Sequence, residues 1–280
     1  MNFAGLSGVE GEYGRARFAV LPVPYDSTTS YQSGTRWGPQ AILSASAYLE
    51  LYDEELHAES FGKGIYTAPF LEPDMRGPGY MVAAVEERVG AFARDGKIPV
   101  LLGGEHTVTI GAVRAMKQLY PSLCVLQLDA HADMRDTYQQ SPYSHACVAR
   151  RIFEVCPIVQ VGIRSLSKEE AIFLRENSIP SFSANFVLEN DYWVEKILEE
   201  LSGDIYITLD VDCLDPSVMP ATGTPEPGGL TYRDLVKLVR AVAKNFRVRG
   251  WDVVELSPIP GMVAPDYLCA RLVYRMMGYI

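Results

Sequence analysis

Three short stretches of the sequence, GGEH, LDAHAD and LDVD, carry acidic and histidine side chains at close, regular spacing. Carboxylate oxygens form the majority of the possible donors, imidazole nitrogens form the minority, and no thiolate belongs to the set. Such a donor set favours Mn(II) over a structural zinc site. The potential ligands in these stretches are His106, Asp129, His131, Asp133, Asp210 and Asp212.

Four aspartates brought to one point repel one another strongly unless positive charge lies between them. Two divalent cations would cancel the formal charge of four carboxylates, so the pattern predicts a binuclear metal centre. Two metal ions roughly 3.5 to 4 Å apart can share a water, lower its pKa towards neutrality and present hydroxide to an electrophilic carbon or phosphorus. The sequence therefore predicts metal-assisted hydrolysis.

Each of these stretches directly follows an apolar run that suits a buried parallel strand. Helical patterns separate the runs, and this alternation predicts an α/β fold whose parallel sheet is covered on both faces. In open parallel sheets a ligand site lies beyond the carboxyl ends of the strands, where these side chains are expected. Strands are predicted at residues 18–21, 98–102, 123–128, 158–161, 205–209 and 248–254.

Backbone geometry predicts how the ligands converge. In an extended strand, residues i, i+2 and i+4 point to one side, so Asp129, His131 and Asp133 are expected to share a direction. The same spacing joins Asp210 to Asp212. Two consecutive glycines in GGEH permit a sharp exit from the preceding strand, which would bring the histidine of that stretch to the same edge of the sheet.

Helices and one unusual loop complete the predicted elements. Amphipathic helices are predicted over residues 81–95, 193–201 and 230–244, with Thr231 as a candidate N-cap of the last. Proline and glycine cluster in PATGTPEPGG, residues 220–229, which predicts a long functional loop. This loop lacks the Lys-Ser/Thr ending of a phosphate-binding loop, so nucleotide binding there is rejected.

Length and composition exclude several classes of protein. The chain has 280 residues, of which 48% are hydrophobic, and we expect residues 1–280 to form one domain. Its formal net charge of −10 argues against nucleic acid as a partner and suits a cationic small molecule. No apolar run is long enough to cross a membrane and no signal-peptide pattern is present, so we expect a cytoplasmic protein. The five cysteines lack a C-x-x-C pair, which predicts reduced, buried thiols.

Each candidate residue also has an explanation without chemistry. A lone D-x-D at a strand end is usually a helix cap or loop entry, whereas D-x-H-x-D at one strand end with further ligands at two others is hard to attribute to coincidence. His145 is equally well explained as an ordinary core or surface histidine. Glu255 follows the last predicted strand, where the alternative role is a salt bridge or a cap. Cys147 lies near His145, but no third group orients the pair, which favours an inert thiol over a nucleophile.

Seven motifs, in order and over nearly the whole chain, give the sequence a family resemblance: PYDSTTSYQSGTRWGPQAI, GGEHT, LDAHAD, YSHACVARR, VGIRSLSKEE, LDVDCLDPSVMPATGTPEPGGLT and VVELSP. With them the chain resembles the ureohydrolases, the arginase and agmatinase family, and most closely the agmatinase branch. The resemblance implies a three-layer α/β/α fold with a central, mostly parallel sheet, two Mn²⁺ per subunit, and a homotrimer or homohexamer. In such enzymes the metal ligands are the residues that match His106, Asp129, His131, Asp133, Asp210 and Asp212.

The resemblance also implies a reaction, the hydrolysis of a guanidinium group to urea and an amine. Resonance spreads the positive charge of a guanidinium over three nitrogens, so its carbon needs a strong nucleophile held close and in line. By analogy, a metal-bridging hydroxide attacks that carbon while Glu255 holds the nitrogens through a charge-assisted hydrogen bond. Asp133 would pass a proton to the leaving amine, and His145 would shuttle protons or bind substrate at the mouth of the site.

Three positions depart from the commoner patterns of this family. Glu105 stands where many members have Asp, and we expect its longer side chain to orient His106. Ala146 stands where many members have Gly, and Ala221 lies where the loop often reads P-G-T-G-T. These changes leave all six ligands in place, and they indicate a sub-branch whose substrate differs more than its catalysis.

The residues after LDAHAD bear on the substrate. Arginine-specific members bind the α-amino and carboxylate groups there with polar residues, notably an asparagine, whereas this chain reads MRDTYQQSPY. We therefore predict a decarboxylated substrate, agmatine, hydrolysed to putrescine and urea, with Asp136 as a contact for the far amine. The alternatives are N1-aminopropylagmatine, which would give spermidine and urea, or another guanidino compound, because local charge does not separate one cationic tail from another.

Two further hypotheses belong to other classes. A related amine deacetylase would use one zinc ion, which would leave several of the six ligands unexplained. An inactive regulatory homologue would be expected to have lost a ligand, and none of the six is missing.

Overall fold

Ten β-strands and nine α-helices make up the computed structural model, which describes residues 1–280. The strands are β1 (Phe18–Val23), β2 (Tyr52–Asp53), β3 (Ala58–Glu59), β4 (Ile65–Thr67), β5 (Ile98–Gly103), β6 (Leu123–Leu128), β7 (Ile158–Ile163), β8 (Ser181–Ser183), β9 (Asp204–Asp210) and β10 (Arg247–Val254). The helices are α1 (Gly38–Ser46), α2 (Pro78–Arg94), α3 (Thr109–Leu119), α4 (Val148–Phe153), α5 (Lys168–Glu176), α6 (Ala184–Glu189), α7 (Trp193–Glu200), α8 (Tyr232–Asn245) and α9 (Ala264–Tyr279).

Eight strands form one parallel sheet in the order β4-β1-β5-β10-β9-β6-β7-β8. The strands β2 and β3 form a separate antiparallel hairpin. All six predicted strands are present. The edge strands β4 and β8 were not predicted, because three residues are too few to give a recognisable pattern.

Helices cover both faces of the sheet. On one face α1, α6, α7, α8 and α9 pack over a buried cluster that includes Val20 and Trp251. On the other face α2, α3, α4 and α5 pack over a second cluster that includes Leu21 and Tyr206. Successive residues of one strand, such as Val20 and Leu21, thus belong to different cores, as in a sheet buried on both sides. The predicted three-layer α/β/α fold is confirmed.

The helix predictions hold to within a few residues. The N-cap predicted for α8 is confirmed, because the Thr231 side chain accepts a hydrogen bond from the backbone N–H of Asp234 at 3.2 Å and the Asp234 carboxylate caps Thr231 in return. None of the nine helices combines the length and the apolar character needed to cross a bilayer. All five cysteines are free and buried, as predicted.

The four central strands of the sheet, β5, β10, β9 and β6, lie side by side and run in the same direction. Their carboxyl ends are level, since Leu209 of β9 pairs with Val253 on one side and with Leu128 on the other. The segments that leave these ends carry all the predicted metal ligands and Glu255. The fold therefore gathers the predicted site at one edge of the sheet.

Candidate metal centre

Two groups of three side chains lie close enough to hold a metal ion each. Within each group the potential ligand atoms lie within 4.8 Å of one another. Asp129 belongs to both groups, which makes it the natural bridge between two cations. The first group is His106, Asp129 and Asp210, and the second is Asp129, His131 and Asp212.

In the first group the donor atoms surround one imidazole nitrogen. His106 Nδ1 lies 3.2 Å from Asp129 Oδ2 and 3.4 Å from Asp210 Oδ2. Asp133 joins this group, because its Oδ2 is also 3.2 Å from His106 Nδ1. Three carboxylates thus converge on a single nitrogen that is fully buried.

In the second group His131 Nδ1 lies 2.9 Å from Asp212 Oδ2 and 3.7 Å from Asp129 Oδ1. The two oxygens of Asp129 therefore face different histidines. With both groups counted, the structure brings all six predicted ligands together.

The unpaired nitrogen of His106 tests whether a cation fits this site. Its other nitrogen, Nε2, is 2.9 Å from Thr208 Oγ1, and that hydroxyl donates its only hydrogen to Asp252 Oδ1 at 2.7 Å. Thr208 must therefore accept from Nε2–H, which leaves Nδ1 as the nitrogen that faces the carboxylates. Nδ1 is buried and has no hydrogen-bond partner. A divalent cation would satisfy this nitrogen and the carboxylates around it together.

The acid groups lead to the same conclusion through their pKa values. Burial, with the neighbouring charge of Asp212, raises the pKa of Asp129, and burial raises that of Asp210 well above its usual range. Burial and the charge of Asp129 together raise the pKa of Asp133 to about 7. Without a cation the protonated forms of these groups are favoured, and a bound metal would compete with those protons. The residues present fit a metal centre.

Tight turns of the backbone bring the ligands together. The expectation that these residues continue an extended strand and alternate along it is wrong. The strand β6 ends at Leu128, and Asp133 adopts a left-handed conformation with φ 52, outside the extended region. After β9, Val211–Cys213 form a 3-10 turn in which the Asp212 N–H donates to Asp210 Oδ1 at 2.9 Å. Alternate spacing identified the ligands, but turns position them.

Gly104 explains how the chain leaves β5. A Cβ atom on Gly104 would lie 2.0 Å from the carbonyl oxygen of Tyr25, and the next residue, Glu105, donates its N–H to the same oxygen at 2.7 Å. Glycine is needed for this close approach of two backbones. The turn brings His106 to the metal centre, as predicted.

Glu105 does not orient His106, so that prediction is wrong. The Glu105 carboxylate is buried and accepts from the N–H of Thr28 at 2.6 Å and from its hydroxyl at 2.8 Å. The turn after β5 directs the Glu105 side chain towards the loop that follows β1. Orientation of His106 comes instead from Thr208, on the neighbouring strand β9.

Buried polar residues inside the strands orient two of the ligands, His106 and Asp129, by hydrogen bonds. These residues were not predicted from the sequence. Asp252 of β10 accepts from Thr208, from Thr109 Oγ1 at 2.9 Å and from Tyr206 Oη at 2.9 Å. Gln127 Nε2 donates to Asp129 Oδ2 at 2.8 Å. The signal was a carboxylate and an amide inside apolar strands, where polar side chains are rare unless they have a partner.

A cavity of about 290 Å³ opens beside the metal centre. Its lining is mostly polar and includes five of the six predicted metal ligands, as well as Glu255 and His145. Several other residues of this lining were not predicted individually, although the first three lie in the loops 25–38 and 134–143, which were expected to set the pocket length: Ser30, Arg135, Tyr138, Ser165, Ser167, Glu170 and Thr224. Most of these follow strands or lie in loops, where single residues have no periodic signal.

Glu255 lies deep in the cavity and is only 8% exposed. Its Oε1 accepts from the backbone N–H of His106 at 2.7 Å. Its left-handed backbone, with φ 65, is uncommon for a residue with a long side chain and turns this carboxylate out of β10. Burial raises the pKa of Glu255 well above its usual range, so a cationic group in the cavity would favour its ionised form.

His145 lines the same cavity on a short 3-10 turn before α4. Burial lowers the pKa of its imidazole to about 4, so the ring is neutral near pH 7. Its Nε2 is 3.2 Å from Ser30 Oγ, and its Nδ1 is 3.4 Å from Thr28 Oγ1. A neutral imidazole at this place has one nitrogen free to accept a proton.

Asp136 is a predicted site residue that the structure places away from both the cavity and the metal ligands. Its side chain is 70% exposed and forms an ion pair with Arg151 at 2.7 Å. The acid that lines the cavity on that side is Glu170, at the N-terminal end of α5.

Comparisons with known proteins agree with this geometry. A family model described as the arginase family matches residues 16–278. The N(1)-aminopropylagmatine ureohydrolase of a Synechocystis species is 40% identical over 275 residues, which cover 95% of this chain and 90% of that protein. The agmatinase of Bacillus subtilis is 34% identical over 253 residues, which cover 89% of this chain and 86% of that protein.

Among solved structures, that of the agmatine ureohydrolase of Thermoplasma volcanium aligns with a TM-score of 0.89 at 33% identity. The alignment covers 97% of this chain and 92% of that one. The resemblance predicted from the motifs is confirmed, and the chain belongs to the arginase family.

Proposed function

We propose that this chain is a metal-dependent amidinohydrolase that releases urea from a guanidino-alkylamine. The observation that supports it most directly is the pair of His/Asp groups that share Asp129, next to the buried carboxylate of Glu255, in one cavity. A site with these parts suits a cationic, planar substrate that must be held beside a nucleophile.

The proposed cofactor is two Mn²⁺ per subunit; one would be held by His106, Asp129, Asp133 and Asp210 and the other by Asp129, His131 and Asp212. The oxygen-rich donor set supports manganese, and the bridging position of Asp129 supports two ions. When bound, such a pair of ions lowers the pKa of a water between them and so supplies a nucleophile near neutral pH.

The side chains around this centre have distinct proposed roles. Glu255 uses one oxygen for the His106 N–H and has the other for a guanidinium, to which it would bind by a charge-assisted hydrogen bond. Asp133 would carry a proton to the leaving amine nitrogen, the role that the family resemblance implies for it. The neutral imidazole of His145 would exchange protons between the cavity and solvent.

The net reaction adds one water to the substrate and gives urea and an amine. Agmatine would give putrescine, and N1-aminopropylagmatine would give spermidine. The residues after LDAHAD favour agmatine, and the similarity to the solved agmatine ureohydrolase of Thermoplasma volcanium supports this substrate. Identity to the relatives favours the longer amine, since four named N(1)-aminopropylagmatine ureohydrolases are 39% or 40% identical and three agmatinases are 32% to 35% identical.

Three coarser expectations accompany this function. We propose that residues 1–280 form one domain, which the single eight-stranded sheet supports. The homotrimer or homohexamer implied by the family resemblance stays a prediction, and so does the cytoplasmic location expected from the apolar pattern of the sequence. Nucleic acid is not expected as a partner, given the net charge of −10, and a membrane is not expected, because the apolar runs of the sequence are too short to cross one.

The test is urea release by Mn(II)-loaded protein with agmatine, N1-aminopropylagmatine, arginine and shorter guanidino acids, compared by kcat/KM. We expect one of the two guanidino-alkylamines to be strongly preferred and Glu255→Gln to lose most of the activity while it keeps its metal. Absence of urea with every compound would exclude the proposal. One tightly bound zinc per chain, measured by metal analysis, would favour the single-metal deacetylase instead.

A further inference from the structure

Two hydroxyl groups of the loop that follows β1 contact the two ring nitrogens of His145. Thr28 Oγ1 is 3.4 Å from Nδ1 and also accepts from the His145 backbone N–H at 3.1 Å. Ser30 Oγ is 3.2 Å from Nε2. Family resemblance suggested a role for His145, but it did not say which nitrogen of the ring carries the proton.

The hydrogen bonds of Thr28 limit the possible tautomers. A hydroxyl has one hydrogen, and Thr28 Oγ1 donates it to Glu105 Oε1 at 2.8 Å. Towards His145, Thr28 is therefore an acceptor, which favours a hydrogen on Nδ1. Ser144 Oγ, 3.4 Å from the same nitrogen, is free to act as a second acceptor.

The other nitrogen has the complementary partner. The Ser30 hydroxyl can donate to an unprotonated Nε2, which lies 3.2 Å from its Oγ. Ser30 and His145 both line the cavity beside the metal centre. A lone pair on Nε2 is therefore available where a proton must be taken from, or returned to, a group in the cavity.

We propose that Glu105 and Thr28 are positioning residues that hold His145 as its Nδ1–H tautomer, with the Nε2 lone pair directed to Ser30 and the cavity. Glu105 fixes Thr28 through two short hydrogen bonds, and Thr28 fixes both the backbone and the ring of His145. The inference rests on the proposed function for its catalytic consequence, but not for its tautomer.

The length of the Glu105 side chain is part of this arrangement. Glu105 is buried and its carboxylate spans from the turn after β5 to the loop after β1, where it meets Thr28. An aspartate at this position would be shorter by one methylene, about 1.5 Å. The carboxylate would then be out of hydrogen-bond range of Thr28.

The kinetic test uses three variants of the Mn(II)-loaded protein: Thr28→Val, which keeps the shape, Thr28→Ser, which keeps the hydroxyl, and Glu105→Asp, which keeps the charge. We expect Thr28→Val and Glu105→Asp to lower kcat on the order of tenfold to a hundredfold, with KM and Mn(II) affinity little changed. Thr28→Ser should retain most of kcat. Equal losses in Thr28→Val and Thr28→Ser would overturn the proposal, and so would a parallel loss of Mn(II) affinity, which would place the effect on His106.

The tautomer itself is measured without activity, in protein labelled with [¹⁵N]histidine and loaded with diamagnetic Mg²⁺. Two-bond ¹H–¹⁵N correlations distinguish a protonated Nδ1 from a protonated Nε2, and a His145→Gln spectrum assigns the signals. We expect Nδ1–H in the wild type and in Thr28→Ser, and a mixed or reversed tautomer in Thr28→Val. A protonated Nε2 in the wild type would overturn the proposal. If urea release fails with every substrate while Nδ1–H is observed, the proposed function fails and the tautomer assignment stands.

Discussion

At the level of single residues, the cavity contains one acid suited to the far amine of a substrate. Glu170 is buried, and its two oxygens accept from the backbone N–H groups of Met134 at 2.9 Å and Ser167 at 2.8 Å. These bonds fix the carboxylate, and its ion pair with Arg135 is long, at 3.8 Å from Nε to Oε2. An ammonium group in the cavity would therefore meet a fixed, incompletely neutralised acid.

We expect Glu170→Gln to raise KM for amine-tailed guanidino substrates about tenfold, because it removes one charge-assisted interaction of roughly 1.4 kcal/mol. Glutamine still caps α5, so the fold should be kept. The measurement is KM with agmatine and with an uncharged alkylguanidine, for which little change is expected. Asp136→Asn is the matched control, and the sequence-based prediction of Asp136 as the amine contact would be supported if only that variant raised KM.

His145 should make stability depend on acid pH. Burial lowers its folded-state pKa to about 4, against about 6.5 for an unperturbed histidine. Between these values the unfolded chain binds a proton that the folded chain does not, so stability is lost as pH falls from 6.5 towards 4. Between pH 7 and pH 5 the free energy of unfolding should fall by about 1 to 2 kcal/mol less in His145→Gln than in the wild type, as measured by urea denaturation. Equal pH dependence of the two proteins would contradict this.

At the level of elements, the register of two neighbouring strands determines the orientation of His106, the histidine of the first ligand group. Residues of β9 and β10 pair so that Thr208 lies directly beside Asp252. In this register the Thr208 hydroxyl lies within hydrogen-bond distance of His106 and donates to the Asp252 carboxylate. Thr109 of α3 and Tyr206 donate to the same carboxylate. The orientation of a metal ligand is thus set by two neighbouring strands.

We expect Asp252→Asn to weaken Mn(II) binding by about tenfold to a hundredfold. The amide would present N–H groups to hydroxyls that now donate to Asp252, so Thr208 would lose its defined role as acceptor for His106. Titration calorimetry of the metal-free protein measures the effect. Asp204→Asn, which alters a partly exposed acid at the opposite end of β9, is the control and should bind Mn(II) like the wild type.

The elements also show why the sequence predicted some features and missed others. Long apolar runs, such as β6 and β10, predicted the central sheet, and the spacing in LDAHAD predicted the ligands. The turns that bring the ligands together were not predicted, because the left-handed backbones of Asp133 and Glu255 depend on tertiary contacts. Glu105 was given the wrong partner for a related reason, since the path of the loop carrying Thr28 is not encoded in any local pattern.

At the level of the whole molecule, a cluster of aspartates is buried at the carboxyl ends of the central strands. The chain has a net charge of −10, and four aspartates, Asp129, Asp133, Asp210 and Asp212, are buried at one edge of the central sheet. Burial without a cation favours protonated acids, as the raised pKa values of Asp129 and Asp210 show. Folding and metal binding are therefore coupled, because the folded chain presents the ligands together and the unfolded chain does not.

We expect removal of metal by a chelator to lower Tm, and Mn(II) to restore it in a concentration-dependent way. Each site should add about 2.7 kcal/mol when free Mn(II) is a hundredfold above its Kd. Because Asp129 belongs to both groups of ligands and Asp212 to one, Asp129→Asn should weaken both sites, whereas Asp212→Asn should weaken mainly the one that contains His131. Metal content after dialysis and the rise in Tm with Mn(II) measure this difference.

The two variants form a matched pair, since each removes one buried carboxylate and keeps its size. In the expected result, Asp212→Asn retains close to one ion per chain and part of the rise in Tm, and Asp129→Asn retains neither. Equal stoichiometry in both variants would mean that Asp129 does not bridge the two positions. A rise in Tm of the same size in the wild type and Asp129→Asn would mean that Mn(II) stabilises the chain at some other place.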